Sequence, residues 1–160
     1  TAGAAATGRP RANALKHRFL TAGLLFALAL PASALEYRTT SRAALLYDAP
    51  SQAGVKIAIA GSGLPLEVVV ETAGWVKVRD HSGRLAWIEQ SALGSTKRVM
   101  VKVESSSVRQ QPRSDAEVVF RAARGLLLDV TGEADSSGWL PVRHADGLGG
   151  WLPSHEVWGQ

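Results

Sequence analysis

The sequence contains no cysteine. Disulfides and thiolate metal sites are therefore excluded, and so is a cysteine nucleophile. Without such staples each folded unit must hold by its own core or by packing on a neighbour. The motifs that carry catalysis are also missing. There is no Gly-x-Ser-x-Gly elbow, no His-Glu-x-x-His helix and no phosphate-cradling glycine loop. A non-enzymatic protein without a cofactor is the expectation. No amphipathic helix of useful length is visible. Aromatic residues make up only 6% of the chain, yet five of them are tryptophan, which makes the placement of those five informative. There is a single methionine, and position 1 is Thr, so Thr1 is not expected to be the natural initiator. The small-residue stretch Thr1–Asn13 is read as an unstructured leader or an over-extended gene start.

What is present begins with an export signal. Lys16, His17 and Arg18 form a basic segment, and Phe19–Leu30 follows as an apolar run of 12 residues. A helix that spans a bilayer needs about 20. Pro31 then breaks the run, and Ala32-Ser33-Ala34 has the small-x-small pattern of a cleavage site. Cleavage after Ala34 is expected, giving a periplasmic or secreted mature chain with no membrane span. With no cysteine after the signal, lipid attachment through an N-terminal cysteine is excluded. The chain has 18 basic and 14 acidic residues, and four of the basic ones (Arg9, Arg11, Lys16, Arg18) precede position 35. Subtracting those four leaves 14 basic against 14 acidic, a neutral mature chain. The overall basicity thus belongs to the leader and is no footprint of nucleic-acid binding.

The remainder is a duplication. Gly74-Trp75-Val76-Lys77-Val78-Arg79 matches Gly138-Trp139-Leu140-Pro141-Val142-Arg143 at an offset of 64, and Gly83, Trp87 and Ile88 match Gly147, Trp151 and Leu152 at the same offset. Upstream the offset is 62, pairing Pro50 with Pro112, Gly63 with Gly125, Leu66 with Leu128, Glu67 with Asp129 and Val68 with Val130. The difference falls in the polar stretch Glu133–Gly138, where an insertion is tolerated. Four matched tryptophans make coincidence a poor explanation.

Each repeat reads as short strands between turns. In the first, the expected strands are Ala43–Tyr47, Leu64–Val70, Trp75–Arg79 and Leu85–Ile88. In the second they are Val99–Arg109, Leu126–Thr131, Trp139–Arg143 and Gly150–Leu152. The clearest is Trp75–Arg79, where Trp, Val and Val alternate with Lys and Arg, the period-2 mark of a half-buried strand. Asp80–Gly83 and Ala145–Gly147 read as hairpin turns. Ser91–Leu93 and Ser154–Val157 are each expected to form one 3₁₀ turn.

In this order of elements each repeat resembles the bacterial SH3-like domain family. The second carries the pattern as Ser107–Pro112, Gly125, Val130, Gly138-Trp139, Val142, Asp146-Gly147 and Gly150-Trp151-Leu152. The first carries it with departures, opening on Leu45–Pro50 and having Ala86 before Trp87. The resemblance covers about 120 residues. It implies an all-β chain of two tandem SH3-like five-stranded, partly open barrels. The divisions are residues 1–34 for leader and signal, 35–95 for the first repeat and 98–160 for the second. It also implies recognition of cell-wall peptide or another envelope component. A periplasmic scaffold that binds other proteins is the alternative.

Six residues are singled out for ligand binding: Tyr47, Asp48, Trp75, Arg79, Trp139 and Arg143. Tyr47 and Asp48 open the loop that holds Pro50. Trp75 and Trp139 each begin a strand after a turn, where an indole offers an apolar face and an N–H donor. Arg79 and Arg143 end the same strands and are suited to a carboxylate such as the free end of a wall peptide. The competing reading makes Trp75, Trp87, Trp139 and Trp151 core residues, because a barrel of about 60 residues needs large buried side chains. Trp158, unmatched in the first repeat, is expected to cap a barrel end or lie exposed. No metal site is expected. His144 aligns with Asp80 and His81 with Ala145, whereas a duplicated metal site would repeat its ligands.

Overall fold

A computed structural model describes residues 1–5, 8 and 35–160. The export signal at Lys16–Ala34 lies outside the described residues. Among the described residues no helix is long and apolar enough to cross a membrane.

Residues 35–160 form one compact unit of strands and turns. The first sheet comprises β1 (Glu36–Thr40), β2 (Ala44–Tyr47), β3 (Lys56–Ala60), β4 (Pro65–Thr72), β5 (Trp75–Arg79), β6 (Leu85–Glu89) and the two-residue β7 (Leu93–Gly94). The second comprises β8 (Arg98–Val101), β9 (Ser105–Arg109), β10 (Val118–Ala123), β11 (Leu127–Val130), β12 (Trp139–Arg143), β13 (Gly149–Pro153) and β14 (Val157–Trp158). The strand orders are β3-β2-β6-β5-β4-β1-β7 and β10-β9-β13-β12-β11-β8-β14, the same path traced twice. Every pairing is antiparallel, and neither sheet closes on itself. The chain is therefore all-β, with two tandem open barrels as expected, although each sheet counts seven strands where the resemblance implies five.

The element boundaries follow local chemistry. Gly74 and Gly138 have φ of 77° and 81°, a conformation that costs glycine no Cβ clash, and each starts the following Trp-led strand. In Trp75–Arg79 the valines alternate as expected, with Val76 and Val78 buried, but Trp75 lies half-buried on the same face as Lys77 and Arg79 and not with the valines. The 3₁₀ turns occur at Gln90–Ala92 and Ser154–Glu156. One expected strand, Val99–Arg109, is in fact two, because the chain turns between Val101 and Ser105 to change neighbours from β11 to β13. Strands β1, β3 and β10 were not anticipated.

The cores are aliphatic. Leu46, Leu66, Val76, Val78 and Ile88 fill the first. Val99, Val101, Val108, Leu128, Leu140, Val142 and Leu152 fill the second. None of the five tryptophans belongs to either core; all are half-buried. Small branched side chains are enough to fill so narrow a barrel, which leaves the indoles for its rim and for the junction.

At that junction Trp158 stacks edge-on against Tyr37 of the first sheet, with ring centroids 5.3 Å apart. Its indole N–H donates to the Pro65 carbonyl at 3.2 Å. Gly159, at φ 108°, follows, and a Cβ there would stand 2.6 Å from the Cβ of Pro65. Burial pushes the Tyr37 hydroxyl pKa up, and the nearby Glu67 charge adds to the rise against the opposing pull of Arg79. Trp158 thus neither caps a barrel end nor lies free; it ties the second barrel to the first.

Candidate functional site

Two of the three aromatic residues expected to bind, Tyr47 and Trp75, come together in the first repeat. Tyr47 ends β2 and Trp75 begins β5, two strands that both flank β6. Their rings meet edge to face, 5.3 Å between centroids and 89° between planes, a favoured aromatic geometry. Tyr47 is buried, while Trp75 keeps part of its face in an open groove of about 730 Å³. Pro50 and Gln52 of the β2–β3 loop form one wall, and Gly74, Glu89 and Ser91 line the rest.

Polar groups in the groove are preset. The Gln52 amide donates to Glu89 Oε1 at 2.7 Å, and Arg42 lies 3.7 Å from the other carboxylate oxygen. Arg42 also donates to Ser91 Oγ at 3.4 Å. A smaller hollow of about 240 Å³, lined by Arg42, Leu45 and Tyr47, shares Glu89 with the groove. Apolar faces beside a few oriented polar groups are the usual make-up of a peptide-sized site. Glu89, Gln52 and Arg42 were missed by sequence reading. The only signal for Glu89 was that it sits two positions beyond Trp87 on an alternating strand.

Asp48 lies beside the aromatic pair but serves its own loop. Its Oδ1 accepts from the Val55 N–H at 2.8 Å, while its own N–H donates to the Val55 carbonyl at 3.1 Å. These two bonds close the loop carrying Pro50 and Gln52, so Asp48 positions the groove wall.

Arg79 is not brought to the groove. Its Nη1 donates to both oxygens of buried Glu67, at 2.8 and 3.0 Å. Trp139 and Arg143 lie on β12 of the other barrel. There the position of Tyr47 is held by Arg109, which donates to the Ala116 carbonyl at 2.7 Å, and the position of Glu89 is held by Pro153. Among the described residues Trp139 therefore has no aromatic partner equivalent to Tyr47 and no acid at the Glu89 position, and Asp135 instead accepts from its backbone N–H at 2.9 Å. Arg143 is exposed and makes no ion pair among the described residues, because Asp129 takes Arg98 instead at 2.6 Å. The two repeats share a fold but not the aromatic groove.

Among the described residues no group of three His, Asp or Glu side chains is placed to hold a metal ion. His144 Nδ1 lies 2.9 Å from Asp146 Oδ1 within its hairpin turn.

Two copies of one small-barrel architecture, each led by Gly-Trp at β5 and β12, define a tandem SH3-like protein. The family model for the bacterial SH3 domain matches residues 41–94 and 102–159, and the chain belongs to that family. Membership suggests a binding role. No curated protein matches the sequence. Among solved structures the chain is similar to NlpC1 from Trichomonas vaginalis, at 11% identity and a TM-score of 0.36, covering 82% of this chain and 48% of that one. It is also similar to NlpC2 from the same organism, at 10% identity and a TM-score of 0.36, covering 79% of this chain and 49% of that one. The chain spans about half the length of each of these structures.

Proposed function

We propose that this protein is an exported, non-enzymatic binding protein that recognises cell-wall peptide or another envelope component through its first repeat. The observation that carries the reading is the Tyr47–Trp75 pair beside a groove lined by Pro50, Gln52 and Glu89. An extended peptide would lay an apolar side chain against the exposed part of Trp75. Its amide and amine groups would meet the Gln52–Glu89 pair. Export rests on the sequence pattern at Lys16–Ala34 and is tested by fractionating cells and determining the N-terminus of the mature chain. A start at Leu35 in the periplasm or medium is expected, and an intact chain in the cytoplasm would contradict it.

The binding reading is tested by co-sedimentation with protein-free peptidoglycan sacculi. The protein is expected to pellet with sacculi across a range of salt, because the mature chain is neutral and the contact is not mainly electrostatic. Gln52→Ala, at an exposed position, should weaken binding about three- to tenfold through loss of one oriented polar group. Absence of binding by the folded protein would turn the reading to a protein partner in the envelope.

A further inference from the structure

Strand β3 is built inside out. Its alanines face the barrel, with Ala60 fully buried and Ala58 packed against the core. Its isoleucines face outward, with Ile57 at 40% and Ile59 at 72% exposure. Val55, just before the strand, and Leu45, paired with Ile59 across β2, extend the patch at 64% and 36%. Among the described residues β3 is also an edge, and one row of its backbone N–H and C=O groups has no strand beside it. Exposed apolar side chains on an unpaired edge invite another strand.

The second repeat serves as an internal control. The register Leu45↔Ile59 is repeated as Ser107↔Arg121, and Val55 is replaced by Glu117. In β10 the large apolar residue, Phe120, packs on the core and the charged Arg121 faces solvent. β10 therefore carries a charge at the outward mid-strand position where β3 carries Ile59, and the one charge of β3, Lys56, lies at its end.

We infer that β3 is a self-association edge, pairing antiparallel with β3 of a second copy about a two-fold axis at Ala58. The strand is self-complementary in that arrangement. Ile57 of one copy lies opposite Ile59 of the other, twice over, and cross-strand pairs of β-branched residues are favourable. Lys56, the one charge on the strand, faces Ala60 of the second copy instead of another lysine. Val55 faces Gly61, which leaves room for it. An isologous contact of this kind closes at two copies. The inference does not depend on which ligand the groove takes.

Sedimentation velocity of the full chain over a concentration series tests it, together with Ile59→Arg, which installs the residue that the second repeat carries there. The wild type should sediment as a dimer at micromolar concentration, and I59R should raise the dissociation constant at least tenfold. Circular dichroism should show I59R folded, since Arg121 occupies the matching position. Backbone amides of residues 56–60 in the wild type should also exchange more slowly as concentration rises, a readout that needs no variant. A wild type that stays monomeric throughout would overturn the inference. So would a dimer that I59R leaves unchanged, as association through Phe19–Leu30 would be, or β3 amides whose exchange ignores concentration.

Discussion

Glu67 and Asp129 hold the same place in the two repeats, yet each takes a different arginine. Glu67 lies between Tyr37 and Arg79 in the sheet register, and Asp129 lies between Arg98 and Arg143. With a tyrosine on one side, Glu67 has only Arg79 to pair with; with an arginine on both sides, Asp129 takes Arg98 and leaves Arg143 exposed. The aligned pair Arg79 and Arg143 was legible in the sequence, but this exchange was not, because it depends on which residue a neighbouring strand places opposite the acid. Removing Arg79 would leave the Glu67 carboxylate buried without the guanidinium nitrogen that reaches both of its oxygens. Arg79→Ala should lower stability by about 2–4 kcal/mol, somewhat less than a fully buried pair because Arg79 is partly exposed, whereas Arg143→Ala should change it by less than about 0.5 kcal/mol. Urea denaturation of both variants checks the contrast. Asp80 supplies a pH test. Burial alone would raise its carboxyl pKa, but hydrogen bonds from the Ser82 hydroxyl and from the Arg84 and Ser82 amides, with the Arg84 charge, hold it below the usual value. A carboxylate with a depressed folded-state pKa stabilises the fold above its unfolded pKa, near 4, and that contribution is lost as pH falls through the folded value. Asp80→Asn should therefore cost stability at neutral pH and flatten the decline measured in urea melts below about pH 4.

Elements led by Gly-Trp were readable because two independent signals coincide there: a glycine suited to positive φ, and aliphatic residues at every second position, Val76 and Val78 in one strand and Leu140 and Val142 in the other. The strand Trp75–Arg79 has the boundaries expected of it, and so does Trp139–Arg143. β3 was not readable, since Lys-Ile-Ala-Ile-Ala is nearly all apolar and its alternation is in size, not polarity, with the larger residues outside. The tryptophans misled for a related reason. Volume argued for burial, but Val, Leu and Ile already fill both cores, and the indoles took the rim. At the groove the sequence supplied Tyr47, Trp75 and the Pro50 loop, while Arg42, Gln52 and Glu89 come from three separate elements that only the fold assembles. The loop itself depends on Asp48. Asp48→Ala should open it by removing the bond to the Val55 amide, at a cost of about 1–2 kcal/mol, and faster amide exchange at Val55 would register the change.

Across the whole molecule the two repeats differ in what they expose. The first repeat carries the aromatic groove and the apolar edge, and the second carries an edge with a mid-strand charge and the C-terminal residues that bind it to its neighbour. Trp158 and Gly159 hold that junction against Tyr37 and Pro65. Trp158→Ala should destabilise the protein by about 2–4 kcal/mol, in the lower part of the range for aromatic truncation because the ring is half-buried, and should split a single thermal transition into two. One unchanged transition in calorimetry would contradict a coupled pair of barrels. The central claim is that binding resides in the first repeat and not in its twin, and co-sedimentation of wild type, Trp75→Ala and Trp139→Ala with protein-free sacculi tests it most directly, each variant first shown to be folded by circular dichroism. The Trp75 variant should lose binding while the Trp139 variant keeps it. Loss in the Trp139 variant with retention in the Trp75 variant, or no binding by the wild type, would contradict it.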